Sequence, residues 1–384
     1  MGEPSIPSPV EIARALARRV VGQGEAVREM SVALAKKLAR IRVGNILLIG
    51  SSGSGKTTLM QAVEQLLASS AGLESSSTLV RIHASVLGEE AGQGGAGDRL
   101  LRRLLERARQ QLGPETPLER LLEQVRNGIV FVDEVDKIRS VVGRQPNVSG
   151  IRAQEALLTL IENEAVPFAL PEWAGGGTRT VDSSSILFVC AGAFEGLYDA
   201  VYQRVTVGRD KGALRPVTVV EEGRVSEELR FSLRDWLRHE DLFEYGISPQ
   251  FLSRFDAVVL LEPLSELQLL KIFIGDADSG LRASQAYFAS LGCKLEVTTA
   301  AARRIAREAA RQPRLGARAL KEVFRRVISP YEFDPRAAAA ADGSVRIDVP
   351  EVEKALQSRR GPSQGPASQV AGWDASFPTP EPGD

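Results

Sequence analysis

The sequence is poor in the side chains that build metal modules. It has two cysteines, Cys190 and Cys293, and two histidines, His83 and His239, in 384 residues. That is too few, and too scattered, for a zinc-binding module. Cys190 lies in the apolar run "SILFVCAG" and reads as a small buried hydrophobe. So few thiols fit a reducing, cytoplasmic setting. The two histidines read as structural or surface residues. A surplus of one charge is also lacking. Lys and Arg number 48 against 49 Asp and Glu, a net charge of −1. Nothing in that balance calls for nucleic acid or an anionic membrane. No run approaches the roughly 18–20 apolar residues of a membrane span. The start, "MGEPSIPSPV", has neither the basic end nor the apolar core of a secretory signal.

What is present suits a soluble chain of two domains with tails. Residues 1–10 read as a flexible arm. Residues 11–263 read as a large α/β domain. Two amphipathic helices open it, around a turn at Gly22 to Gly24. Four apolar strands follow, in "GNILLIG", "STLVRIHA", "GIVFVDEV" and "SSILFVCAGAF", alternating with helices. Strands of that kind imply a parallel sheet covered on both faces. Residues 205–248 read as irregular and charged. Residues 264–358 turn mainly helical, with "KLEV" and "VRIDV" as short strands, and read as a small α+β domain. Residues 359–384 have the composition of a disordered tail. Two readings of Trp373 and Phe377 in that tail stay open: a docking motif, or a tail folded back on the body.

Two motifs carry chemistry. "GSSGSGKTT", Gly50 to Thr58, follows a strand and opens a helix, the setting a phosphate-binding loop requires. Ser52, Gly53, Ser54, Gly55 and Thr58 would offer backbone amides to phosphate oxygens. Lys56 would bring charge to the β- and γ-phosphates, and Thr57 a hydroxyl to Mg²⁺. The second motif is "GIVFVDEVDK". Asp133 closes an apolar strand and would hold Mg²⁺ through water. Glu134 would orient, or take a proton from, the attacking water. Two adjacent acids at the end of a buried strand need a cation, because an unpaired buried charge costs several kcal/mol, on the order of ~3–5. ATP and Mg²⁺ are the expected cofactors, and hydrolysis the expected reaction.

The order "VVGQ", "GSSGSGKTT", "GIVFVDEVDKI", "SSILFVCAGAF", "ISPQFLSRFD" and "LGARAL" resembles the AAA+ ATPases of the Clp/HslU branch, closest to ClpX. The resemblance covers roughly residues 11–357 and implies an AAA+ large domain followed by a small lid domain. It implies that Val21 and Gly22 contact adenine. It implies that Arg254 is an arginine finger reaching a neighbouring subunit's nucleotide, and that Arg318, in "GAR", is the arginine coupling nucleotide state to the small domain. A finger supplied to a neighbour implies a homo-oligomeric ring, expected to be a hexamer. No polar sensor residue is found in "CAGAF".

The chain departs from the ClpX pattern in four places. Where ClpX grips polypeptide with an aromatic–aliphatic pair, this chain has "EEAGQGGAGD", with Gln93 and Gly94 at the gripping positions. Glycine has no side chain to pack. The histidine and cysteine counts leave no room for the family's zinc-binding domain. A further pore segment falls near "LPEWAGGGTRT", with Trp173 its one large aromatic and Arg179 its one basic residue. The Ile-Gly-Phe signature for docking the ClpP peptidase is missing from residues 205–235. The expected function is a ring-forming, ATP-driven protein remodeller not coupled to ClpP. The alternative is an ATP-controlled assembly switch or scaffold acting on one dedicated partner.

Overall fold

The computed structural model describes residues 6–69, 77–90, 95–143, 145–162, 165–207, 216–221, 224–229 and 231–357. Gln93, Gly94, Trp373 and Phe377 lie outside them.

Five strands build the central sheet: β1 (Asn45–Ile49), β2 (Leu79–His83), β3 (Ile129–Asp133), β4 (Leu187–Gly192) and β5 (Phe255–Leu260). All pair in parallel, in the order β5-β1-β4-β3-β2. Successive side chains of a strand face opposite sides, so each inner strand feeds two cores. Leu47, Val130, Val132 and Phe188 join one apolar layer. Ile46, Leu48, Phe131 and Val189 join the other, under the helices Pro9–Leu16, Gly24–Leu38 and Lys56–Ser69. This is why the strands read as unbroken apolar runs. Cys190 is fully buried in the first layer, and burial pushes its thiol pKa up.

β5 was not among the four strands expected from the sequence. Its register beside β1, Ile46 against Ala257 through Ile49 against Leu260, makes it an edge strand with partly exposed residues. Residues 205–248 also hold more structure than expected: an antiparallel pair, Pro216–Glu221 with Arg224–Leu229, and the helices Leu233–Trp236 and His239–Tyr245. The last of these turns Leu242 fully inward. Its Asp241 accepts from the Arg238 amide at 2.8 Å and from the Arg204 guanidinium at 2.9 Å. Its charged composition hid a helix whose acid caps its own start. The first helix begins at Pro9, inside the stretch read as an arm; the Ser8 hydroxyl and the Glu11 carboxylate cap it reciprocally.

Residues beyond Leu264 pack into a third core around Phe273, Phe288, Val323 and Phe324. The strands β6 (Lys294–Val297) and β7 (Ser344–Ile347) pair in parallel beside its helices. No helix of the described residues is long and apolar enough to cross a membrane.

Candidate nucleotide site

In a parallel sheet, ligands gather where neighbouring strands present their carboxyl ends to loops. Here β1, β4 and β3 lie side by side, and their ends face a cavity of about 1010 Å³. The loop after β1 supplies Ser52, Gly53, Gly55 and Lys56, and the helix it opens adds Thr57 and Thr58. The end of β3 supplies Asp133 and Glu134. Val21 enters from the turn between the first two helices, and Arg318 from the helix Ala317–Phe333, which packs into the third core.

The cradle fits a phosphate group. Gly53 has φ +73°, a left-handed conformation that favours glycine. A Cβ there would lie 2.3 Å from the Leu315 carbonyl oxygen. The Ser54 side chain is buried, and among the described residues its hydroxyl has no hydrogen-bond partner. Lys56 donates to the carbonyls of Gly50 and Ser51, the latter at 2.9 Å. Burial lowers its pKa to about 8, against the pull of Asp133 and Asp136. An ammonium held at the cavity only by backbone carbonyls suits an incoming anion.

The acids are set by the strand and the turn that follows it. Glu134 has φ +60°, an uncommon conformation for a side-chain-bearing residue. This turn returns the Glu134 amide to Asp133 Oδ1, at 2.9 Å, and leaves the Glu134 side chain half exposed at the cavity. Asp133 also pairs with Arg81 of β2. His83, two residues further along β2, places Nδ1 3.8 Å from Glu134 Oε2. Among the described residues, no group of three or more His, Cys, Asp or Glu could hold a metal alone. Thr57 and Asp133 suit an ion that arrives with the nucleotide's oxygens and keeps water.

Three residues that the sequence assigned to the nucleotide site or its catalysis stand off the cavity. Ser54 lies beneath it. Gly22 sits in the turn beside Val21, with φ +80°, and a Cβ there would meet the Gln268 side chain at 2.6 Å. Arg254 follows the helix Pro249–Leu252, away from its own chain's cavity, and pairs with Glu162 on the surface. Trp173 is partly exposed, with the Arg109 guanidinium 4.1 Å above its ring.

Other residues of the site escaped sequence reasoning. Gln23 is buried, and its amide donates to the carbonyls of Ser54 and Glu262, both at 2.9 Å. It ties the turn beside Val21 to the phosphate loop. Asp136 is buried and accepts from the Ala193 amide at 3.0 Å, fixing the end of β4. The motifs "VVGQ" and "DEVDK" contain both residues, but only the fold reveals their partners. Arg81 and His83 had no local signal.

Residues 41–258 match the family model of the AAA domain (Cdc48 subfamily). ClpX 3 of Methylococcus capsulatus is 31% identical over 359 residues, covering 86% of this chain and 77% of the relative. The chain belongs to the ClpX-type AAA+ ATPases. ClpX 2 of Wolinella succinogenes is 30% identical, and ClpX of Treponema denticola 27%; each alignment covers 86% of this chain and 78% of the relative. This ClpX-type chain is an ATP-hydrolysing enzyme. AAA+ ATPases use nucleotide with Mg²⁺, and the donor set around Lys56 and Asp133 fits both.

Proposed function

We propose that this ClpX-type ATPase works as a homo-oligomeric ring, a hexamer, that uses Mg²⁺-ATP to remodel a protein client without a ClpP peptidase. One observation carries the reading. Lys56, Asp133, Glu134 and Arg318 share a cavity, whereas Arg254 stands outside it on the surface. A cation in that position serves a site on a neighbour.

In this reading the amides of Ser52, Gly53, Ser54, Gly55 and Thr58 cradle the phosphates, and Lys56 balances their charge. Val21 borders the base, and Gly22 shapes the turn that carries Val21. Thr57 and Asp133 would hold Mg²⁺, which would supply charge neutralisation at the transferring phosphoryl group. Glu134 accepts the proton of the attacking water. Arg318 and the neighbour's Arg254 stabilise charge from two further sides. The catalytic set is thus Glu134, Arg254 and Arg318.

The relatives are named as ATP-binding subunits of ATP-dependent Clp protease. Separation from a peptidase is supported here by the missing Ile-Gly-Phe signature between residues 205 and 235. The balanced charge supports a protein client over nucleic acid. The buried thiols of Cys190 and Cys293 suit a cytoplasmic setting.

Mixing two inactive variants tests the ring. Arg254→Ala keeps its nucleotide site and loses its finger; Lys56→Ala does the reverse. Each alone should lose hydrolysis, Arg254→Ala by about 10³–10⁵. Mixed rings should recover part of it, because some Arg254→Ala sites then face an intact Arg254. No recovery in mixtures shown to co-assemble would remove the assignment.

A further inference from the structure

The edge strand β2 turns two basic side chains toward the two acids that end β3. In the parallel register His83 lies beside Asp133, and Arg81 beside Phe131. Residues two apart on a strand share a face, so Arg81, His83 and Asp133 all stand on one side of the sheet. Sheet packing does not require a cation there. Arg81 is about one-third exposed and lines the nucleotide cavity.

The Arg81 guanidinium closes on Asp133 Oδ2, while Oδ1 accepts from the Glu134 amide at 2.9 Å. Both oxygens of the carboxylate therefore have protein donors. A carboxylate that holds Mg²⁺, directly or through water, must turn lone pairs to it. A guanidinium and a metal ion at the same carboxylate oppose each other by charge as well as by space.

We propose that Arg81 is a positioning residue: it holds Asp133 while the cation is absent, and must release it before Mg²⁺ can enter with the nucleotide. The inference rests on the reading of Asp133 as the residue that receives Mg²⁺. It makes the Mg²⁺ requirement of this site a property of β2, outside both sequence motifs. Arg81 opposes the metal and leaves metal-free phosphate binding to the loop around Lys56.

The test uses the full-length chain and a fluorescent ADP analogue, titrated with Mg²⁺ and, separately, in EDTA. Arg81→Met keeps the length of the side chain on an exposed edge and removes its charge. The Mg²⁺ concentration giving half of the metal-dependent gain in affinity should fall about fivefold, the scale of one partly exposed ion pair. Affinity in EDTA should stay as in the wild type. Arg81→Lys, which keeps the charge without the planar fork, should fall between the two. It also serves as the readout if Arg81→Met does not fold. An unchanged or higher Mg²⁺ requirement in a folded variant would overturn the inference. Weaker binding in EDTA would also overturn it, because the guanidinium would then be a phosphate ligand. Asp133→Asn separates the two layers of the argument. If its Mg²⁺ dependence equals the wild type's, the reading of Asp133 itself is wrong, whatever Arg81 does.

Discussion

The carbonyl of Gly53, in the loop after β1, accepts a hydrogen bond from the amide of Ala317, at the start of the helix Ala317–Phe333, at 3.0 Å. The two residues are far apart in sequence, and Ala317 packs against the third core. Their contact brings the neighbouring Arg318 to the nucleotide cavity. The ion pairs Arg19–Asp278 and Arg314–Asp199 join the same two parts of the chain.

Gly53 therefore has two reasons to be glycine. Its φ is +73°, and a Cβ would lie 2.3 Å from the Leu315 carbonyl oxygen and 3.0 Å from the Arg318 amide nitrogen. Gly53→Ala must leave the left-handed conformation or push the "GAR" turn away. A left-handed residue with a side chain costs about 1–2 kcal/mol, or roughly tenfold in affinity. Nucleotide affinity should fall by at least about that factor, as measured with a fluorescent nucleotide. An affinity equal to the wild type's would show that the loop does not keep this shape when it binds.

The charge on Lys56 should be visible as a proton. Burial brings its pKa to about 8. An arriving phosphate favours the charged form, so binding raises that pKa and takes up protons near pH 8. Below pH 7 the ammonium is already charged, and little uptake should occur. Calorimetric titration of ADP in buffers of different ionisation enthalpy reads the difference. At pH 8 about half a proton should be taken up per site, and Lys56→Arg should abolish the uptake. Equal uptake at pH 6.5 and pH 8 would assign the proton to another group.

The parts of the site that were legible in the sequence are those made of neighbours in the chain. Lys56 and Asp133 stand in short motifs whose chemistry is local, so residue type and spacing were enough. The sheet's inner strands were legible because burial on both faces leaves a continuous apolar run. β5 was not, because its "FDAVVL" carries an exposed Asp256 and is only partly buried. The pairings Gln23 with Ser54 and Arg81 with Asp133 join residues 31 and 52 positions apart. They depend on the strand order β5-β1-β4-β3-β2, which no window of sequence carries. Arg81 in particular alternates with apolar residues, as an ordinary solvent-facing strand position does.

Lys37 gives a prediction about stability. It is almost fully buried near the start of β4, where its ammonium donates to the Ser185 carbonyl. Burial lowers its pKa from 10.5 to about 7. Between those values the unfolded chain binds more protons than the folded one, so stability rises with pH through that window. Below pH 7 both states are charged and the cost of burying the ammonium is at its full value. The rise should approach ~1.4 kcal/mol per pH unit near pH 9. Lys37→Met should be more stable than the wild type at pH 7, and the gap should close toward pH 10. Urea midpoints at pH 7, 8 and 9 measure this. A gap that does not change with pH would mean that Lys37 finds a compensating charge in solution.

Glu134→Gln tests the chemistry and the client together. The amide keeps the shape of the side chain but cannot accept the water's proton. Removing a general base costs about 10²–10⁴ in rate, so turnover should fall by that range while Mg²⁺-ATP still binds. The same variant then remains in its ATP state and retains what that state holds. Purified from its native cells with ATP, a ring that carries many different proteins would mean that chains are still captured with Gln93 and Gly94 at the gripping positions. One stoichiometric partner would instead favour an assembly switch or dedicated remodeller. In that case the glycine-rich loop contacts a single fitted surface, and a general grip has no selective use. Near-normal turnover would make Glu134 the wrong base and would move attention to its neighbour across the sheet edge, His83, 3.8 Å away.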